Sequence, residues 1–182
     1  MERTKILALS GSLRKSSYNT AAIKALRHMS AKHVEVSIGA IDELPLFNPD
    51  LEGENIPALD RLVHMLKNSD GIIIASPEYA HGISGPLKNA LDWLVSSVEF
   101  PYKPIMLINT SPRASHAQQA LREVLTTMSG KIIEKSCVSV PLLSSELDVK
   151  GIIESQEISR VLNFGLNEFC LAIEALKRNE SS

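Results

Sequence analysis

The sequence predicts an α/β domain of the doubly wound kind, a parallel sheet with helices on both faces. Two observations predict it. Short apolar runs alternate with segments of helical periodicity along nearly all of the 182 residues. Three of those runs (KILAL, GIIIA and IMLIN) are almost continuously apolar, as strands covered on both faces must be. Right-handed crossovers then leave little choice of architecture.

The first strand is placed at Lys5–Leu9. A helix follows from about Thr20 to Met29, with Ala22, Ile23, Leu26 and Met29 on one stripe. The second strand, Val34–Ile38, alternates polar and apolar residues, which suits a place nearer the sheet edge. Asp42, Glu43, Asp50, Glu52 and Glu54 then form an acidic, proline-containing stretch that reads as a solvated connection. Ile56–Asn68 opens with Pro57, which a first helical turn accepts, and carries Leu59, Leu62, Val63 and Leu66. The third strand, Gly71–Ala75, leads through a long loop to a helix at Leu87–Ser97. The fourth, Ile105–Asn109, leads to a helix at Gln118–Met128, and the fifth is placed at Ile132–Val140. The last helix, Gln156–Leu176, repeats Ile158, Val161, Leu162, Phe169, Ile173 and Leu176 at helical spacing. One domain over residues 1–178 and a frayed tail over 179–182 account for the chain.

Composition narrows the function classes. Lysine and arginine number 19 against 21 acids, a net charge of −2, which argues against tracking nucleic acid by charge. The opening MERTKILALS has too few apolar residues for a secretory signal, and no apolar run is long enough to span a bilayer. Cys137 and Cys170 lie in apolar surroundings without metal spacing and read as reduced core thiols of a cytoplasmic protein. His28, His33, His64, His81 and His116 are scattered, so no metal site is predicted. His81 and His116 fall in the site loops, where surface placement is the simplest reading.

In a doubly wound sheet, ligands collect at the carboxyl ends of the strands where the strand order reverses. The loops Ser10–Asn19, Ser76–Pro86 and Thr110–His116 should therefore form one site. The first reads SGSLRKSSYNT directly behind an apolar strand, a pattern suited to cradling a phosphate. Hydroxyls and loop N–H groups donate, the helix start adds partial positive charge, and Arg14 can fork onto two oxygens. It is neither a Walker loop nor a dinucleotide fingerprint, because Gly11 stands alone; a single terminal phosphomonoester fits better. Ordinary turn chemistry with a solvated arginine explains the loop equally well when it is taken alone. Charge tips that balance. From Arg3 to Val34 the chain carries Arg3, Lys5, Arg14, Lys15, Lys24, Arg27 and Lys32 and no acid.

The second loop reads SPEYAHGISGPLKNALDWL. Pro77 stiffens it, while Gly82 and Gly85 let backbone come close to a flat ligand. A plain connection is the alternative, and its length argues against that. Trp93 by itself reads as core or subunit interface. Ser10, Ser12 and Ser17 lack the glycines of a nucleophile elbow, which argues against serine hydrolase chemistry.

Taken together, GSLRKSSYN and SPEYAHGISGPLKNALDWL closely resemble the NADPH-dependent FMN reductase family, which comprises flavodoxin-like quinone, chromate and azo-dye reductases. The resemblance runs from the first strand to the helix after the fourth. It implies a flavodoxin-like three-layer sandwich with a five-stranded parallel sheet in the order 2-1-3-4-5. It implies that Ser10, Ser12, Arg14, Ser17, Asn19 and Thr20 hold the phosphate of FMN. Pro77, Glu78, Tyr79 and Ala80 would line the isoalloxazine and ribityl groups, mainly through backbone. The family often has Asn at the position of Ala80 and Pro at that of Ser84. The third loop departs further, with Thr110-Ser111-Pro112-Arg113-Ala114-Ser115 where many members have a Ser-Gly-Gly-rich turn. Ser111 would meet the pyrimidine edge, and Arg113 either stabilises charge on the reduced ring or is solvated.

The implied chemistry is hydride transfer from NADPH or NADH to FMN, then electron transfer to a small acceptor, in ping-pong order. Quinone, free flavin, chromate and azo compounds all qualify as acceptors. No side chain need act as nucleophile or general acid, so no catalytic residue is predicted. Arg14 and Lys15 would favour the extra phosphate of NADPH. A flavodoxin-type electron carrier and a binding or sensing protein with weak FMN affinity are the competing readings. Carriers are usually strongly acidic, and a net charge of −2 counts against that one. The resemblance also implies a homodimer or homotetramer, with Trp93 and Leu94 supplying an apolar patch on the family's dimer helix.

Overall fold

The computed structural model describes residues 3–113 and 115–180. Strand β1 (Thr4–Ser10) pairs in parallel with β2 (Val34–Gly39) on one side and β3 (Gly71–Ala75) on the other. Strand β3 pairs in turn with β6 (Pro104–Asn109), reached after a short antiparallel hairpin of β4 (Glu78–Tyr79) and β5 (Gly82–Ile83). Beyond β6 lie β7 (Lys131–Ile132) and β8 (Val138–Ser139), both parallel to it. The sheet order β2-β1-β3-β6-β7 is the expected 2-1-3-4-5, with the reversal between β1 and β3.

The fifth strand departs from the expected continuous run over 132–140. It is broken by a 3-10 turn at Glu134–Ser136, so β7 pairs with the start of β6 and β8 with its end. The turn closes locally: Ser136 Oγ donates to the Ile133 carbonyl at 2.7 Å, and Cys137 N–H to that of Glu134 at 3.1 Å. Polar Glu134 and Lys135 thereby leave the sheet plane while apolar residues on either side stay in it.

Side-chain alternation along the strands divides the core. Ile6 and Ala8 of β1 face α1 (Tyr18–Met29), α5 (Val149–Glu154) and α6 (Gln156–Glu180). Leu7 and Leu9 face α2 (Pro57–Lys67), α3 (Gly85–Leu94) and α4 (Ser115–Thr127). Each layer therefore buries an apolar helix stripe against one face of the same strands.

Helix α5 lies where no element was predicted, and two expectations are corrected here. Residues 179 and 180, placed in a frayed tail, continue α6, while Ser181 and Ser182 lie outside the described residues. Trp93 and Leu94 are buried inside their own chain, so they supply no surface patch. The indole N–H of Trp93 donates to the Pro45 carbonyl at 2.8 Å, and its ring meets the edge of Phe47. Among the described residues no helix is long and apolar enough to cross a membrane.

Candidate active site

The first loop leaves the sheet beside β3, with Gly11 N–H bonded to the Ala75 carbonyl at 2.8 Å. Ser17 caps α1: its Oγ accepts from Thr20 N–H and its carbonyl from Ala21 N–H. The first turn of α1 contains no acid, so nothing in it offsets the positive end of the helix. Ser10 and Thr20 share a hydroxyl–hydroxyl hydrogen bond of 2.7 Å. Arg14 is exposed and, among the described residues, its guanidinium hydrogen-bonds to Ser16 Oγ alone, at 3.4 Å, which leaves it able to turn onto a ligand.

The second loop is more ordered than expected. Glu78 pairs with Ile83 and Tyr79 with Gly82, so Ala80 and His81 form a two-residue hairpin turn. Both take positive φ, 49° and 59°, a conformation normally given to Asn or Gly. No Asn-Gly or Asp-Gly pair marked this hairpin in the sequence. Behind it, Ser84 Oγ donates to the Gly11 carbonyl and accepts from Leu87 N–H, capping α3. Gly82 and Gly85 have open space beside them: a Cβ at Gly85 would meet nothing within 4 Å.

The third loop is tied to the first. Thr110 Oγ1 donates to Asn19 Oδ1 at 3.0 Å, and both side chains are buried. Ser111 N–H donates to Asn109 Oδ1, and Ser111 Oγ accepts from Arg113 N–H. Asn19 thus holds two loops together, a role beyond the phosphate contact expected of it.

The three loops enclose a cleft of about 270 Å³ at the carboxyl ends of β1, β3 and β6. Ser12, Arg14, Ser17, Asn19, Pro77, Glu78, Tyr79, Ser111 and Arg113 line it. Ser10 and Thr20, bonded to each other, are not in its lining, Thr20 lining instead the hollow on the flank of the first loop, and Ala80 sits at the hairpin tip. Tyr18, Thr110 and Leu143 also line the cleft and were missed. Tyr18 and Thr110 adjoin predicted positions; Leu143 follows the fifth strand, where no motif pointed to the site. An adjoining hollow of about 340 Å³ lies on the flank of the first loop, between Lys15, Lys24 and Asp148, and shares Arg14, Ser17 and Tyr18 with the cleft. Lys15 lines that hollow and not the cleft. We place the site at the cleft because all three loops meet there.

Two basic groups in the lining, Arg14 and Arg113, suit an anion, and Pro77, Tyr79 and Leu143 offer apolar surface to a flat group. Glu78 is the acid of the lining. Its carboxyl is held below the ordinary value of 4.5, chiefly by the hydrogen bond from Ala117 N–H, against the opposing cost of desolvation and with help from His81.

The sequence profile of the family described as NADPH-dependent FMN reductase matches residues 4–143. The chain is 27% identical to an NAD(P)H-dependent FMN reductase of Pseudomonas aeruginosa, over 95% of this chain and 97% of that one. It is 30% identical to a quinone reductase of Escherichia coli, over 74% of this chain and 76% of that one. Among solved structures, the flavoenzyme NAD(P)H:(acceptor) oxidoreductase of Paracoccus denitrificans superposes with a TM-score of 0.78 at 25% identity, covering 94% of this chain and 98% of that one. With the matched profile spanning all three site loops, the chain belongs to the NADPH-dependent FMN reductase family.

Proposed function

We propose that the cleft binds FMN and that the protein is an FMN-dependent NAD(P)H oxidoreductase for small acceptors such as quinones. One observation carries the reading: an acid-free helix start with hydroxyls and an arginine shares a cleft with a Pro77–Tyr79 wall. The first feature suits a phosphate dianion and the second a planar ring. Ser12, Arg14, Ser17 and Asn19 hold the phosphate, with Ser10 and Thr20 fixing the loop. Pro77, Glu78, Tyr79 and the backbone of Ala80 flank the ring, and Ser111 and Arg113 stand at its far edge.

FMN supplies a two-electron carrier between the nicotinamide and the acceptor. The chain's own part is to grip the phosphate, orient the ring and leave one face accessible. Tyr79 is 50% exposed and Leu143 48%, so the rim they form is open to a second molecule. A single open face visited in turn by donor and acceptor makes the kinetics ping-pong. Arg113, a cation at the rim, favours negative charge that develops on reduction. The reading includes a homodimer or homotetramer in the cytoplasm; the free thiols Cys137 and Cys170 suit a reducing compartment.

Reconstitution with FMN followed by anaerobic addition of NADPH or NADH tests the reading. The yellow band should bleach, then return with a quinone, and initial rates at several acceptor concentrations should give parallel double-reciprocal lines. A protein that binds no FMN removes the reading, and one that binds FMN without bleaching is a carrier.

A further inference from the structure

Among the described residues that line the cleft, Glu78 is the one carboxylate, and its side chain is only 13% exposed. Both of its oxygens are occupied by contacts that cross to α4 or brace the hairpin. Oε2 accepts from Ala117 N–H at 2.8 Å, a donor in the first turn of α4 that no helical carbonyl can satisfy. Oε1 lies 3.1 Å from His81 Nδ1. The His81 ring in turn meets that of His116, on the first turn of α4, edge to face with centroids 4.6 Å apart. Two of these contacts, Ala117 N–H to Glu78 and the His81–His116 ring pair, join the β4–β5 hairpin to the start of α4, and the third braces the hairpin itself.

The hairpin needs such an anchor. Its ladder is two residue pairs long, and an isolated hairpin of that size is unstable in water. Its turn, Ala80-His81, adopts positive φ without the glycine or asparagine that would make it self-supporting. Yet Pro77, just before this hairpin, and Tyr79, next to its turn, form the wall proposed to meet the ring. We infer that Glu78 is a positioning residue, a latch whose carboxylate fastens the hairpin to α4 and so sets the place of Pro77 and Tyr79 against the flavin ring. The inference rests on the FMN reading above.

Titration of the flavin-free protein with FMN and with riboflavin, followed by flavin fluorescence, tests it on Glu78→Ala and Glu78→Gln. The latch acts at the ring end, so Glu78→Ala raises Kd for both flavins by the same factor, about tenfold for one lost charge-assisted hydrogen bond. Glu78→Gln keeps an oxygen facing Ala117 N–H and stays within about threefold of wild type. If Glu78→Ala does not fold, Glu78→Gln combined with His81→Ala carries the test and should weaken both flavins equally. Unchanged affinity in all variants overturns the latch, as does a loss confined to FMN, which would place the effect at the phosphate. A wild type that binds neither flavin overturns the FMN reading and the latch together. Wild-type binding with an indifferent Glu78→Ala overturns the latch alone.

Discussion

Ser84 Oγ donates a 2.5 Å hydrogen bond to the Gly11 carbonyl, joining the first and second site loops across 73 positions of sequence. Ser84 is fully buried, and the same oxygen caps α3 through Leu87 N–H. Gly11 allows the approach: a Cβ there would lie 2.8 Å from Ser76 Oγ, 3.0 Å from Ser84 Oγ and 3.2 Å from Pro77 Cδ. This crossing therefore holds the first and second loops close together.

Ser84→Ala removes a helix cap and leaves a carbonyl without its partner. It should lower unfolding free energy by about 1–3 kcal/mol in urea titration. Gly11→Ala overpacks the same crossing and should cost a similar amount, about 1–3 kcal/mol. Because it pushes Ser76 and Pro77 away from the first loop, it should also weaken FMN. A stable Gly11→Ala protein with wild-type FMN affinity would show that the loops part without consequence.

Among the described residues the Arg14 guanidinium hydrogen-bonds only to Ser16, so its truncation has little to unbalance structurally. Arg14→Ala should weaken FMN by about 1.5–3 kcal/mol, the range for a charge-assisted hydrogen bond, with the melting temperature nearly unchanged. Riboflavin, which lacks the phosphate, should bind wild type and variant alike. Equal losses for both flavins would move Arg14 away from the phosphate.

Ala80 sits at φ 49° with a Cβ that left-handed backbone disfavours. Ala80→Gly relieves that cost and should raise stability, offset in part by the greater entropy of the unfolded chain. Asn, common at this place in the family the sequence resembles, tolerates the conformation without that entropic loss. Ala80→Asn should therefore stabilise by about 0.5–1 kcal/mol, read from the midpoint of thermal or urea unfolding. A lower midpoint for Ala80→Asn would mean that the turn relaxes away from positive φ.

Glu78 also predicts a pH effect whose sign follows from its neighbours. Ala117 N–H, His81 and His116 face it, and its carboxyl is held below the ordinary 4.5 in the folded chain. A group with a depressed folded value contributes stability that is present above the unfolded value and lost as pH falls through the folded one. The stability difference between wild type and Glu78→Gln should thus be level above about pH 5 and shrink below it. A difference that grows on acidification would contradict the assignment.

How far the sequence reveals this molecule depends on which signals are local. The strands β1, β3 and β6 announce themselves because burial on both faces demands continuous apolar runs. The end of the site proposed to hold a phosphate is legible for a similar reason: hydroxyls, Arg14 and a helix start are consecutive in the chain. The hairpin is not, since Ala80-His81 carries none of the residues that normally mark such a turn, and its support comes from Ala117 in a distant helix. The break in the fifth strand is hidden too, because Ser136 and Gly165 set it through tertiary packing. Trp93 shows a further limit. Its apolarity predicts burial, but only the fold tells whether the burial is within the chain, against Phe47 and Pro45, or between chains.

Gly165, in the middle of α6, packs tightly against the broken strand. A Cβ there would sit 2.7 Å from Val138 Cγ1, 2.8 Å from Met106 Cε and 2.8 Å from the Ser136 carbonyl oxygen. The Met106 terminus can swing aside, but the Ser136 carbonyl belongs to the 3-10 turn and cannot move without disturbing β8. Alanine is the better helix former by about 1 kcal/mol, so propensity alone favours Gly165→Ala. Overpacking against fixed backbone costs about 1–3 kcal/mol and should win. We expect a net loss of about 1–2 kcal/mol in urea unfolding, with FMN affinity little changed because the contact lies away from the cleft lining. A Gly165→Ala protein more stable than wild type would mean that α6 can withdraw from the strand at small cost.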